Sequence, residues 1–352
     1  MARYRVRQED DSLIYVGIDV HLRQWHVTVR TMEQELFSGS IPGSWPALGS
    51  VLSRYRPDSV TVAYESGFSG YWLYDRVVAW GGKCQVAPPT LIPSVAGNRV
   101  KTDRRDSRKL SWLLSRGMLP SIWVPDLAQR GHRRVLRRRR QLVQDRTRLQ
   151  SRIKAELALY GLSVGTGPGR WTGRVVAELQ LVQFPDGWAQ RSYDRLLTMY
   201  RLVTEQLVEQ TRLLRELAAT ERYREPLRLL QTVPGIGVIT GMALLLELGE
   251  ISRFTRADAL AAYAGLTPSQ YSSGDRIRMG RITGMGNRYL RSLLIEAAWV
   301  AVRRDSHLRT VYDRLKPRAG GKRAIVAVAR RLLLAARRVL LDQTEYRSRA
   351  AA

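Results

Sequence analysis

At 352 residues the chain is long enough for two or three domains, each with its own core. Its 58 basic and 31 acidic side chains leave a formal charge of +27, the electrostatic footprint of a protein that neutralises many phosphates, so nucleic acid is the default partner. No apolar run approaches the ~20 residues that span a bilayer, the first residues lack the apolar core of a signal peptide, and a single cysteine, Cys84, excludes an internal disulfide and a cysteine-rich zinc site. These features predict an intracellular protein. His21, His26, His132 and His307 show no ligand spacing, so any metal is expected to be held by oxygen, which favours magnesium or manganese.

In chain order, Leu13 to Val20 is a short apolar run ending at Asp19, and Trp25 to Thr31 alternates with period two, which predicts a hairpin. A third strand is predicted over Glu35 to Ser38, and a helix over Ser44 to Arg54 with Ser44 as cap and Pro46 in its first turn. Ser59 to Tyr64 is a β-branched strand with Glu65 at its tip. A helix from Tyr71 to Trp80 and a strand from Lys83 to Ala87 follow. Next comes Asn98 to Leu110, whose helix is expected to continue to Ser115. Asp103 and Asp106 stand three residues apart there, so on a helix they project from one face as near neighbours and repel. A divalent cation relieves that repulsion, and the cations around them, Lys101, Arg104 and Arg105 among them, suit a phosphate as its further ligand. A solvated face of alternating charge is the other meaning of such a run. The order of strands and helices favours the metal. It predicts an α/β domain with a mixed sheet, carrying one carboxylate on the first strand, one on the fourth and two on a later helix, as ribonuclease-H-like nucleases do. Asp19, Glu65, Asp103 and Asp106 are the expected metal ligands.

From about Leu127 strand signals vanish, and seven arginines fall within the eleven positions from Arg130 to Arg140, including Arg137, Arg138, Arg139 and Arg140. Apolar residues recur every seven positions at Val135, Leu142 and Leu149, and again at Tyr200, Leu207 and Leu214, which predicts two long helices in a coiled-coil-like arm broken around Gly161 to Gly173. So dense a cationic run repels itself unless phosphates lie against it, so the arm is expected to bind nucleic acid and to self-associate. Pro226 is expected to open the last domain. There a helix stops at Pro234, turns through Gly235 and Gly237 and restarts, the pattern of a helix-hairpin-helix that aims backbone amides at a phosphate. Tyr263 to Leu290, rich in Gly, Arg and Ser, reads as a long functional loop without structure of its own, in which Ser272 or Ser273 offers a hydroxyl near Arg276, Arg278, Arg281 and Arg288. A basic amphipathic helix over Lys322 to Leu341 stands near the end.

The motifs GIDV at Gly17, YESGFSGYW at Tyr64, RVKTDRRDSRKL at Arg99, WVPD at Trp123, VPGIG at Val233 and GLTPSQYSSG followed by GRITGMGN together make the chain resemble the DEDD transposases of the insertion-sequence one-ten family, which are bridge-RNA-guided recombinases. Gly284 and Asp275 depart from the residues common there, lysine and glycine. The resemblance implies a RuvC-like domain over residues 1–126 with Asp19, Glu65, Asp103 and Asp106 as ligands of Mg2+, or of Mn2+. It further implies a helical coiled-coil arm over 127–225 and a mainly helical transposase domain over 226–352 with Ser273 as nucleophile. By the same likeness the partners are donor and target DNA, a structured non-coding bridge RNA and further copies of the chain, as a dimer or a dimer of dimers, at a prokaryotic nucleoid in the cytoplasm. A RuvC-like resolvase using water and a non-catalytic nucleic-acid-binding protein are the alternatives.

Overall fold

The computed structural model describes residues 13–93, 102–162, 171–273 and 276–348. It divides into two compact units, Met1–Pro125 and Asp126–Ala352.

In the first unit, β1 (Ile14–Val20), β2 (Gln24–Arg30) and β3 (Glu35–Pro42) form an antiparallel meander, and β4 (Val60–Glu65) and β5 (Lys83–Ala87) add parallel strands on the other side of β1. The five-stranded order is β3-β2-β1-β4-β5. β1 pairs with β2 on one side and with β4 on the other, which makes it a central strand, and its apolar run is accordingly buried at Ile14, Val16 and Ile18. Alternation along the strands gives the sheet two faces. Val16, Ile18, Val62 and Tyr64 share a core with Leu48 and Leu52 of α1 (Trp45–Leu52) and with Leu73 and Val77 of α2 (Trp72–Trp80). Ala63 and Ala87 share the other with Leu110, Leu113 and Leu114 of α3 (Asp103–Ser115). Ser44 caps α1 as its sequence position predicts, and β3 runs four residues beyond its expected end at Ser38. The opening of the Asn98 to Leu110 stretch, Lys101 included, lies outside the described residues, and the helix begins at Asp103.

Among its described residues the second unit is helical apart from one hairpin. α4 (Leu127–Leu159) and α6 (Gly187–Ala219) run long, with the short α5 (Gly173–Gln180) between them, and residues 163–170 of the predicted break lie outside the described ones. Leu149, Ile153 and Leu157 of α4 pack with Tyr193, Leu197 and Tyr200 of α6. α7 (Glu221–Gln231), α8 (Val238–Leu248), α9 (Ala257–Tyr263), α10 (Arg288–Arg304), α11 (Ser306–Ala319) and α12 (Gly321–Asp342) follow and enclose one large apolar core.

Pro226 stands inside α7, which begins at Glu221, with Thr220 ending α6 and starting α7. One expectation is corrected here. Tyr263 to Leu290 is not a structureless loop, because it holds the antiparallel pair β6 (Pro268–Ser273) and β7 (Arg276–Ile282). Ile277 and Met279 alternate there with Arg276 and Arg278, a period-two pattern that the glycines and arginines around it obscure.

Candidate active site

Asp19 stands at the end of β1 and Glu65 is the last residue of β4 beside it, where Ile18 is paired with Tyr64. Parity puts Gly17, Asp19, Ala63 and Glu65 on the face that carries α3. Glu65 is held in place from behind, since Ser66 N donates to Ala87 O at 2.8 Å and the Tyr64 hydroxyl donates to Gly70 O at 2.9 Å. α3 brings the remaining acids. Thr102 caps it by accepting from Arg105 N at 3.4 Å, and Asp103 and Asp106 lie in the first turn, where the helix dipole favours negative charge.

The helix sits close to the sheet because β1 has no side chain at Gly17: a Cβ there would come within 2.2 Å of Ser107 O and 2.5 Å of Ser111 N. The buried Ser107 hydroxyl lies 2.8 Å from His26 Nδ1 and 2.9 Å from Thr28 Oγ1, both on β2, and fixes the first turns of α3 across the sheet. Arg108 adds a bidentate pair to Glu35 of β3, with Nε to Oε2 at 2.7 Å. One of the cations flanking the acids is thus an internal strut.

These elements bring Asp19, His21 and Asp103 together, one potential donor atom from each lying within 4.8 Å of the others. His21 Nε2 is 3.2 Å from Asp19 Oδ2 and 3.6 Å from Asp103 Oδ1, and the His21 turn is held by Trp25, whose indole donates to His21 O at 3.0 Å. Where the sequence leads to an all-oxygen site, the structure also sets an imidazole beside the carboxylates. Spacing between histidines does not disclose His21, whereas its place two residues after Asp19, just beyond a strand end, is a usable signal. Asp19 is mostly covered, its side chain 21% exposed, against 65% for Asp103. Burial raises the Asp19 pKa above the ordinary carboxylate value, His21 opposes this, and Asp103 and Asp106 add to it by like-charge repulsion. Asp106 thus acts on the same site by its charge, while Glu65 stands on the adjoining strand end and is not in the three-residue cluster. Two carboxylates and an imidazole converging in this way form a donor set that fits a divalent cation.

In the second unit, Ser273 is the last residue of β6, opposite Arg276 of β7. The side chains of residues 272–279, those of Ser272, Ser273, Arg276 and Arg278 among them, lie outside the described ones. Arg281, on β7, and Arg288, at the start of α10, are exposed. The hairpin is clamped at its base, because Arg291 Nη1 donates both to Gly265 O at 3.1 Å and to Thr283 O at 3.2 Å.

The arginine run of α4 has internal work that its sequence does not disclose. Arg133 Nε donates to Leu246 O at 2.6 Å and buried Gln129 to the same carbonyl at 3.1 Å, so α4 satisfies the open carbonyl end of α8. Arg137 forms a bidentate pair with Glu247, both bonds 2.8 Å, Arg139 Nε donates to Thr211 Oγ1 at 3.0 Å, and the Arg140 guanidinium lies 4.5 Å from the centre of the Tyr289 ring. Arg134 and Arg138 are left exposed. The premise that the run repels itself unless phosphates neutralise it is corrected accordingly. At the VPGIG turn, Gly235 takes φ +85° and a Cβ there would meet Ala297 O of α10 at 2.2 Å, so this glycine answers to packing, whereas at Gly237, the N-cap of α8, a Cβ would meet open space.

The fold and site define a chain that joins a carboxylate-bearing α/β unit to a basic helical unit. A family model of DEDD type, described as Transposase, matches residues 16–161, and one described as Transposase IS116/IS110/IS902 family matches residues 227–313. A Sinorhizobium fredii protein with a transposase name, y4qE, is 31% identical over 253 residues, which make up 72% of this chain and 61% of that protein. The transposase for insertion sequence element IS1111A of Coxiella burnetii is 28% identical over 80% of this chain and 77% of its own length. The corresponding figures for the transposase of IS1328 from Yersinia enterocolitica are 27%, 69% and 71%. The chain thus spans about three fifths of the first of these relatives and under four fifths of the others. It belongs to the IS116/IS110/IS902 family of transposases. No helix among the described residues is long and apolar enough to cross a membrane.

Proposed function

We propose that this chain mobilises an insertion sequence by cutting and rejoining DNA strands through a phosphoserine intermediate. Ser273 is the nucleophile, and Asp19, Glu65, Asp103 and Asp106, with His21 beside them, hold Mg2+ or Mn2+. The observation that carries the reading is the convergence of Asp19, His21 and Asp103 within 4.8 Å in a member of a DEDD transposase family. The strand order, with its antiparallel meander and two parallel strands, supports a RuvC-like unit over residues 1–126, and the packing of α4 against α6 supports a coiled-coil arm over 127–225 ahead of a transposase domain over 226–352.

A divalent cation at the carboxylates supplies charge stabilisation on the transferring phosphate. The chain's own residues do the rest. Ser273 Oγ forms an ester bond to phosphorus as the bond from phosphorus to a sugar oxygen breaks, and the serine proton ends on that departing oxygen. Rejoining is the reverse reaction with a different sugar hydroxyl. Exposed Arg281 and Arg288 offer charge-assisted donors to phosphates near the hairpin. A structured guide RNA pairing with donor and target DNA, a homodimer that doubles to a tetramer and action at the nucleoid complete the proposal, and the +27 charge supports its nucleic-acid partners.

The test is the covalent adduct. Ser273→Ala abolishes the protein–DNA band on a denaturing gel while Ser272→Ala retains it. An adduct that survives Ser273→Ala, or a wild-type enzyme that cleaves without any adduct, overturns the serine assignment in favour of the neighbouring serine or of water.

A further inference from the structure

A cleft of about 950 Å³ opens within the second unit between α4, the end of α8, the base of the β6–β7 hairpin and the start of α10. We infer that this cleft receives one unpaired nucleotide of a strand handled by the serine hairpin. The inference rests on the proposed function only in taking Ser273 to act on a nucleic-acid strand.

The cleft is a built site. Glu247, 3% exposed, stands in its wall, and burying a carboxylate is costly unless it is paired. It is paired twice: Arg137 grips it with two bonds of 2.8 Å, and Asn287 Nδ2 lies 3.2 Å from Oε2. The Asn287 oxygen meanwhile caps α10 by accepting from Tyr289 N at 3.0 Å and Leu290 N at 3.1 Å, so one side chain fixes both the carboxylate and the helix start. The wall is rigid, and its anion is neutralised before any ligand arrives.

What remains is cationic and two-sided in its hydrogen bonding. Arg137, Arg140 and Arg288 against Glu247 leave three positive charges minus one, a net +2, which selects an anion. Gln141 and Gln144 of α4 stand on the lining, and a carboxamide both donates and accepts. A bare phosphate needs donors alone, whereas a base edge has donors and acceptors together. Met285, 56% exposed, offers apolar surface for a base to lie against. The Thr267 hydroxyl, buried at the cleft without a hydrogen-bond partner among the described residues, supplies one more polar group. An unpaired base offers its pairing edge to the carboxamides and its face to Met285 at once, which a base stacked and paired within a duplex does not, so the occupant is an unpaired nucleotide.

Position links the cleft to the reaction. Thr267 and Thr283 line it and flank the two ends of the hairpin, with Thr283 N donating to Thr267 O at 3.4 Å. Ser273 is six residues along β6 from that base, about 20 Å at the rise of an extended strand. A nucleotide seated there fixes the register of the strand relative to the nucleophile.

The experiment uses the full chain carrying Ser273→Ala, in EDTA, so that neither serine nor metal chemistry contributes. Binding of a single-stranded DNA oligonucleotide, an RNA of the same sequence and a blunt DNA duplex is measured with and without Gln144→Ala combined with Arg288→Gln. Both side chains lie on the open lining of the cleft, so the fold is expected to persist, and a thermal melt checks it. The expected result is a loss of about tenfold for a single strand and less than about twofold for duplex, with the single-strand salt slope reduced by about 0.7. Loss confined to DNA or to RNA names the strand that enters the cleft. A 5-iodouracil probe is expected to crosslink within 137–144 or 283–288. Unchanged single-strand affinity, equal loss on duplex, or displacement of the oligonucleotide by millimolar inorganic phosphate overturns the inference. Because the serine-to-alanine background is used throughout, failure here leaves the adduct test of Ser273 untouched.

Discussion

The two units hold their polar groups in place by opposite means. In the first, α3 is drawn against β1 until nothing fits between them: Gly17 has no side chain, Ser107 bonds to His26 and Thr28, and Asp19 and Asp103 meet as a result. In the second, long side chains reach across gaps, with Arg133 and Arg137 of α4 spanning to α8 and Arg291 of α10 spanning to both ends of the hairpin. Close approach fixes distance but tolerates no growth. Reaching side chains tolerate growth but fail when a partner is removed.

That contrast predicts a ranking of effects. The largest is expected from the proposed ligands: Asp19→Asn or Asp103→Asn lowers strand cleavage in magnesium by about a thousandfold or more while leaving DNA binding intact or stronger, since each removes negative charge beside phosphate. Cleavage within about tenfold of wild type dismisses the metal assignment. Next is Gly17→Val, which drives a side chain into the α3 backbone and costs roughly 2–4 kcal/mol in denaturant unfolding, with cleavage lost in step. A neutral result there breaks the close-approach half of the comparison. Arg137→Ala leaves buried Glu247 with one partner fewer and costs about 1–3 kcal/mol, and the double variant with Glu247→Gln recovers part of the loss because the unpaired charge is gone. If single and double variants unfold alike, the pair is incidental. Replacing Arg134 and Arg138 by Gln lowers the slope of log K against log salt by about 0.7–0.9 for each phosphate no longer neutralised, whereas Arg139→Gln, whose partner is Thr211, leaves it unchanged.

The smallest expected effect is one of pH. His132 packs against Tyr223, its Nδ1 2.7 Å from the hydroxyl, and burial followed by the charge of Arg222 lowers its pKa below the usual 6.5. A group whose folded pKa is depressed takes up its proton more readily when unfolded. The stability it contributes is therefore complete above pH 6.5 and is lost as pH falls through that value toward the folded pKa. His132→Gln is expected to flatten the fall in melting temperature between about pH 7 and pH 5.

The same contrast between the units governs what their residues disclose in sequence. Strand and helix periods in the first unit are legible because burial on two faces imposes them, so Ile14–Val20 and Val60–Glu65 emerge with their acidic tips in place. His21 is legible only by its place two residues after Asp19, since its nearness to Asp103 depends on α3 returning some eighty residues later. In the second unit the heptads at Leu149 and Tyr200 are plain, but the internal bonds of Arg133 and Arg137 are not, because a guanidinium that pairs with a distant carbonyl or carboxylate looks in sequence like one that awaits a phosphate. The hairpin at Pro268–Ser273 is hidden for a related reason: two strands that form a sheet of their own carry little apolar signal.

The seating of α3 has a consequence for how the protein ages under heat. Its last two turns are anchored by the buried Leu110, Leu113 and Leu114, while its first turn has the Thr102 cap and the Ser107 bonds behind it. A helix opens first at the end that buries least, so the turn bearing Asp103 and Asp106 is expected to loosen on heating before the sheet gives way. On that account, any activity that needs these two carboxylates is lost before the fold is, and is regained on cooling without refolding.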